Sequence, residues 1–472
     1  MSQPVILWFR NDLRLADNPA LQAALATGQP IVAAFILDTQ QDWAPGGASR
    51  WWLHHCLASL DASFRVHGTR LVFRRGPAAE TVLGLRAETG ATAVFTGAGI
   101  EPAARRVESG VSERLRAEGV PLHVTRPPLL FSPDAIRTRS GGPFGIYTPF
   151  ANACLAAGDP PPPVPAPERI PSGTLPRSDR LEDWDLLPRH PDWAGGLRDT
   201  WQPGEPSAQT RLAAFRAGAL AGYATGRDQP AIDGTSRLSP HLHFGEVSPA
   251  QVWHAARPGN DKFVRELLWR EFCQHLLWHN PTMPERPLRR VFEAMPWHRD
   301  RDALRAWQRG RTGIPFVDAG MRQLWRVGWM HNRARLVVAS FLVKHLLVPW
   351  QDGQRWFWDT LVDADLGNNA ASWQWIAGCG TDAAPYFRVF NPVLQGRKFD
   401  PDGDYVRRFV PELAGLEARW IHAPWQAPES ARRQAGIALG TTYPRPVVDP
   451  AVGRARALAA FATLKPRRPT AS

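Results

Sequence analysis

Four short apolar runs near the N-terminus, VILWF at 5–9, IVAAFIL at 31–37, RLVFRR at 70–75 and AVFTG at 93–97, set the tightest limit on what this chain can fold into. Amphipathic stretches such as 49–66 separate them, which is the rhythm of βαβ units. An α/β domain with a parallel, Rossmann-like sheet is therefore expected over residues 1–130. The loop after the first run reads RNDLRLADNPAL and contains no GxGxxG, so a dinucleotide clamp of the Rossmann type is not supported.

Beyond this region the pattern changes twice. Residues 131–207 are expected to form an interdomain connector, because GDPPPPVPAPERIPSG near its middle suits a long run over the surface. Residues 208–472 are expected to form an all-helical domain. RLAAFRAGAL, FVRELLWREFCQHLLW, VDAGMRQLWRVGWMHNRARLVVASFLVKHLL and QRWFWDTLVDADL carry apolar residues at three- and four-residue spacings. A length of 472 residues with 44% hydrophobic content supplies enough core for two or three domains.

Composition narrows the setting. No run of 18 apolar residues occurs, and MSQPVILWFRNDLR places an apolar strand ahead of any basic segment, the reverse of a signal peptide, so a cytoplasmic protein is expected. Cys56, Cys154, Cys273 and Cys379 form no CxxC pair, and neither a disulfide framework nor a zinc site is indicated. The net charge of +12 favours an anionic partner, nucleic acid above all. With Lys262, Lys344, Lys398 and Lys465 the only lysines, the excess is nearly all arginine, which a GC-rich genome also produces.

The residues that could carry chemistry lie in the helical half. Helical spacing puts Glu266, Trp269, Arg270 and Cys273 on one face, either as the wall of a cavity or as an ordinary i,i+4 Glu–Arg pair. TSRLSPHLHFG at 235–245 offers the hydroxyls of Thr235, Ser236 and Ser239 beside Arg237, a set able to bind a diphosphate or simply to begin a helix. Asn332 and Arg335 lie three apart, and a buried Arg335 needs a carboxylate, for which Asp363 and Asp365 are candidates. His331 has no partner at ligand spacing and reads as structural, as do His54/His55 and His241/His243. The block DADLGNNAASWQWIAGCGTDAAPYFRVFNP at 363–392 sets carboxylates, paired asparagines and two tryptophans together, as a polar cofactor ring beside an aromatic electron path would need.

These motifs resemble the photolyase/cryptochrome flavoproteins, and most closely the bacterial photolyases of the cyclobutane pyrimidine dimer type. The resemblance runs from WFRNDLRLADNPAL through GTSRLSPHLHFG, ELLWREFCQHL, AWQRGRTGIPFVDAGMRQLWRVGWMHNRAR and DADLGNNAASWQW to DAAPYFRVFNPVLQGRKFD at 382–400. It implies an N-terminal antenna-type α/β domain, a C-terminal helical domain holding FAD, and a monomer acting on UV-damaged DNA. FAD contacts carry over to Tyr223, Thr235, Ser236, Arg237, Leu238, Ser239, Arg270, Asn332, Arg335, Asp363, Asp365 and Asn369. Asn369 stands near flavin N5, and Asp363 pairs with Arg335. The relay tryptophans map to Trp373, Trp350 and Trp307, from flavin outward to the surface. The lesion cavity maps to Glu266, Trp269, Arg270, Asn332, Arg333, Leu336 and Trp375, with Arg227 and Gln395 near the DNA backbone.

The expected reaction is blue-light-driven splitting of the dimer by an electron from reduced FAD, with Glu266 hydrogen-bonded to the thymine carbonyls. Leu336 replaces a methionine common in dimer photolyases, and AAS at 370–372 replaces NGG or TLG. The folate-antenna ligands of one subgroup fall on Ala103, Ala104 and Glu285, which have the wrong chemistry. A deazaflavin, a second flavin, folate in another mode or no antenna all stay open. A photosensor of the cryptochrome type would often carry a long C-terminal extension, and a (6-4) photoproduct enzyme would carry a histidine pair where this chain has Asn332 and Leu336.

Overall fold

The computed structural model describes residues 3–257, 259–382 and 388–464, so part of the DAAPYF motif lies outside the described residues. The chain forms two compact units. The first comprises Met1–Ala221, Ser236–Pro281 and Val362–Gly367, the second Gly222–Thr235, Thr282–Leu361 and Asn368–Ser472.

The first unit is built on a parallel sheet of five strands, β1 (Val5–Phe9), β2 (Ile31–Asp38), β3 (Val72–Gly76), β4 (Val94–Gly97) and β5 (Leu122–Thr125), in the order β3-β2-β1-β4-β5. β1 is buried along its whole length, as a central strand covered on both faces must be, and this is why it reads as an unbroken apolar run. The four expected strands fall where the apolar runs lie. β5 escaped notice because an edge strand is half wet: LHVT mixes polar and exposed positions and makes no run. Helices α1 (Pro19–Leu25), α2 (Gly47–Val66), α3 (Ala78–Thr89) and α4 (Pro102–Ala117) make the crossovers. Asn18 starts α1 by accepting from Leu21 N–H at 3.0 Å, while its own amide donates to Asp12 O and Arg14 O, so the RNDLR loop and the helix are fixed by one side chain.

The expected division at 130 and 207 differs from the compact units. Residues 170–179 run back along the sheet, where Ile31 N–H donates to Pro171 O at 2.8 Å and Phe73 N–H to Ser178 Oγ at 2.9 Å. The segment 236–281 also joins this unit, since the Glu271 carboxylate accepts from Leu130 N–H at 2.8 Å. The connector is thus tied down by sheet-type and buried hydrogen bonds that a proline-rich composition does not reveal.

The second unit is helical. Its organising polar group is Asp318, fully buried in helix Pro315–Val327, which accepts from Thr312 N–H (2.7 Å), Thr312 Oγ1–H (2.6 Å), Gly313 N–H (3.1 Å) and Tyr443 O–H (2.7 Å). Burial pushes its carboxyl up to about 6 despite these donors. Gly313 has φ +76, and a side chain there would overlap the Arg445 backbone, so this close approach of the loop to the C-terminal region requires glycine. Among the described residues no helix is long and apolar enough to cross a membrane. Asp318→Ala strands four donors, three of them on buried backbone or hydroxyl groups of the 312–313 loop. Urea unfolding should show a loss of about 3 kcal/mol or more; a loss under about 1 kcal/mol would remove Asp318 from this role.

Candidate functional site

The first unit brings together three of the segments singled out in the sequence. Arg237 takes a left-handed backbone (φ 50) just before the short helix Ser239–His243. Leu238 is its N-cap, without a side-chain cap bond, while Ser236 Oγ accepts from Leu238 N–H at 3.3 Å. The segment is held from behind. Gly245 (φ +72) lies so close to Asn11 O that any side chain would overlap it, and Gly245 O accepts from Arg14 at 3.0 Å. Next to it, the fully buried Glu246 carboxylate accepts from Trp52 Nε1–H (3.0 Å) and Gly204 N–H (2.7 Å) and pairs with His241. His241 is therefore structural, as expected.

Helix Asp261–His279 starts at Asn260, whose side chain accepts from Phe263 N–H at 3.0 Å. The face expected from spacing divides. Cys273 faces the core, where burial pushes its thiol up to about 12, whereas Glu266, Trp269 and Arg270 stay half-buried. Arg270 donates to Pro128 O at 3.3 Å and to Glu271 at 3.1 Å. Trp269 lies flat on Tyr147, with ring centroids 3.7 Å apart and planes at 7°, and Tyr147 O–H donates to Arg265 O at 2.6 Å. Tyr147 was invisible to sequence reasoning because it belongs to the connector.

Gln274 Nε2–H donates to both Asp365 oxygens at 2.7 and 2.8 Å, and His243 Nδ1 stands 3.6 Å from Asp365. Glu101, beside this group, is raised to about 7 by burial first and then by the charge of Asp365. Asp365 therefore stands among polar groups that orient it, rather than on an exposed loop. Of the positions where one subgroup holds a folate antenna, Ala103 and Ala104 stand in the first turn of α4, and Glu285 lies in an exposed turn of the second unit.

In the second unit, Tyr223 is buried at the head of the turn Tyr223–Gly226, and the Arg227 guanidinium lies 5.5 Å from its ring centroid. Helix Asn332–Ser340 carries four expected residues and begins at His331, whose Nδ1 accepts from Arg333 N–H at 3.2 Å. Asn332 is exposed, and Leu336 is half-buried. Arg333 pairs with Asp228 and lies 4.1 Å over Phe399; Arg335 Nε–H donates to Met330 O at 2.8 Å. Gln395, in helix Pro392–Phe399, is partly exposed.

Helices Trp350–Thr360 and Leu366–Ala377 carry Trp350, Asn369, Trp373 and Trp375, and Asp363 stands in the turn that follows the first of them. Gly353 packs directly under the Trp373 ring, where a methyl group would overlap it. Asn369 is buried and donates from Nδ2 to Gln354 O at 3.0 Å. Gln374, between Trp373 and Trp375, is fully spent on the 283–288 turn through Met283 O, Arg286 O and Leu288 N–H. Trp375 is half-buried.

One expectation fails. Trp307 was placed at the surface end of a relay, yet it is 0% exposed, donates from Nε1 to Val338 O at 2.9 Å, and meets Trp373 edge-on at 6.2 Å. An interior indole cannot be a surface terminus. Trp297 is partly exposed, and its neighbour His298 donates N–H to Leu347 O at 2.7 Å, which seats this segment beside the entry to the helix that starts at Trp350.

Within the first unit the 236–239 segment offers hydroxyls and a guanidinium, chemistry that suits a diphosphate; within the second, Asn369 and Gln354 form a buried amide pair, chemistry that suits a polar ring. Neither side-chain polar atom of Gln354 has a hydrogen-bond partner among the described residues.

Comparison with known proteins identifies the lineage. Residues 5–168 match the family model described as DNA photolyase, and residues 263–463 match the FAD binding domain of DNA photolyase. The chain belongs to the DNA photolyase family. It is 49% identical over 472 residues to a deoxyribodipyrimidine photo-lyase of Agrobacterium fabrum, covering 98% of both chains. It is 39% identical over 474 residues to Cryptochrome-1 of Arabidopsis thaliana, covering 96% of this chain and 69% of the relative. The solved structure of a bacterial class III photolyase from Agrobacterium tumefaciens matches with a TM-score of 0.96 and 48% identity over 98% of each chain.

Burial, then the nearby Arg333 charge, lowers His331 to about 4, so it is neutral at pH 7 and free to cap its helix. A base depressed on folding adds stability that is fully present above its ordinary 6.5 and is lost as pH falls through 4. His331→Asn keeps an acceptor for Arg333 N–H but does not titrate. Between pH 7 and 4 the wild type should lose up to about 3 kcal/mol more than the variant in urea unfolding; identical slopes would contradict this account of the cap.

Proposed function

We propose that this chain is a light-driven DNA-repair lyase that splits cyclobutane pyrimidine dimers, with FAD as its cofactor. The observation that carries the reading is likeness over 98% of both chains to a relative named deoxyribodipyrimidine photo-lyase. Bound reduced FAD, once excited by blue light, supplies the electron that opens the cyclobutane ring. The chain acts as a monomer on UV-damaged DNA in the cytoplasm, without an obligate protein partner.

The protein's own part is to hold the cofactor and the lesion. Tyr223, Thr235, Ser236, Arg237, Leu238, Ser239, Arg270, Asn332, Arg335, Asp363, Asp365 and Asn369 bind FAD. Glu266 hydrogen-bonds the lesion, and Trp269, Leu336 and Trp375 pack against its bases. Trp269 is suited to this, because Tyr147 covers one of its faces and fixes its plane. A dimer that is already weakly stacked costs less to flip out than an intact pair, which gives selectivity before any chemistry. Asn332 and Arg333 line the lesion cavity, and Arg227 and Gln395 contact the DNA strand, where the arginine neutralises phosphate. The likeness to Cryptochrome-1 favours a photosensor as the second reading.

The deciding assay is loss of dimers from UV-irradiated oligothymidine by the reduced holoenzyme under blue light, with a dark control. Light-dependent loss is expected, and Glu266→Ala should lower dimers split per absorbed photon while FAD remains bound. No loss in light, with FAD bound and photoreducible, would sink the lyase reading in favour of the sensor.

We also propose Trp373 and Trp350 as the inner relay, with Trp297 in the outer place first given to Trp307. Trp297→Phe should slow photoreduction of oxidised FAD and leave repair by chemically reduced enzyme intact. Unchanged photoreduction in this variant would exclude Trp297 from the path.

A further inference from the structure

Gln354 is the least explained polar residue near the proposed flavin position. It shares the buried face of helix Trp350–Thr360 with Trp350, Gly353 and Phe357, the i, i+3, i+4, i+7 stripe of one helix side. That stripe packs against helix Leu366–Ala377. Gly353 lies under Trp373, Phe357 meets the Trp373 ring at 5.0 Å, and Gln354 O accepts from Asn369 Nδ2–H at 3.0 Å. The Gln354 side chain is 0% exposed, and among the described residues neither Oε1 nor Nε2 has a hydrogen-bond partner.

A buried carboxamide with both ends unmatched is costly, and native proteins rarely keep one unless something outside the protein matches it. Its neighbour shows what is on offer in this seam. Because Asn369 spends an N–H on Gln354 O, its Oδ1 is the end turned away from that carbonyl and presents an acceptor. Gln354 adds two N–H donors and a carbonyl acceptor. A ring edge that carries both a carbonyl and an N–H satisfies such a pair; a purely apolar or anionic group does not.

We propose that the Gln354 side chain is a second cofactor-contacting amide, which together with Asn369 hydrogen-bonds the N5 edge of the flavin ring of bound FAD. The inference rests on the reading that Asn369 stands at flavin N5. It assigns Gln354 a part in cofactor retention and in the electronic environment of the ring, and none in transferring protons, since a carboxamide does not titrate in this range.

The test uses purified FAD-loaded protein and compares wild type, Gln354→Leu and Asn369→Ala. Gln354→Leu should release FAD about fivefold faster on dilution, the factor set by one neutral hydrogen bond, and should change the fine structure of the flavin's visible absorption band. A purely structural glutamine would leave that band unmoved. Gln354→Met, unbranched and of similar length, carries the same test if the leucine variant does not fold. If Gln354→Leu keeps the wild-type release rate and band while Asn369→Ala alters them, an internal water rather than the flavin matches Gln354 and the inference is overturned. If Asn369→Ala also leaves both unchanged, the placement of Asn369 at N5 fails and the inference falls with it.

Discussion

The close approach of Gly353 to Trp373 is the constraint on which the proposed site depends. Without a side chain at 353, helix Trp350–Thr360 can lie against helix Leu366–Ala377 closely enough for Asn369 to reach the Gln354 carbonyl. The same approach lets Phe357 and Trp307 close around the Trp373 ring. One seam thus sets the orientation of an amide proposed to face the flavin and of an indole proposed to pass electrons to it. Gln374 fixes the far end of the second helix, and its three hydrogen bonds leave Trp373 and Trp375 on either side of a fully satisfied anchor.

The first unit shows a similar economy. A strand, a loop and a short helix are joined by contacts that each do two things. The RNDLR loop closes β1 and reaches Gly245, while Glu246 ties Trp52 of α2 to His241 beside the 235–239 hydroxyls. A segment proposed to bind phosphate is therefore stiffened by the sheet domain. This explains why 236–281 belongs to that unit although its sequence pattern is that of the helical half.

Much of this was legible in the residues, and the parts that were not share physical causes. Fully buried strands announce themselves as apolar runs, so β1 to β4 could be read, whereas β5 has a wet edge and a mixed sequence. Glu266, Trp269 and Asn369 could be named as candidates because long motifs carry them. Tyr147 was missed because stacking across 122 positions leaves no local pattern. Gln354 was missed because a glutamine in an amphipathic helix reads as solvent-facing. Trp307 was misplaced for a related reason. Helix Arg301–Gln308 is polar on every side but one, and Trp307 is its single buried residue, so the surrounding sequence suggests a surface that the indole itself never reaches.

The seam can be tested with one added methyl group. Gly353→Ala places a Cβ within the Trp373 ring contact, so the measurement is the rate of photoreduction of oxidised FAD in the purified holoenzyme. The account predicts that displacement of Trp373 slows this rate by about tenfold or more, the change that roughly 1.4 kcal/mol of misfit would produce. A variant that folds, holds FAD and photoreduces at the wild-type rate would contradict the claim that this contact sets the electron path.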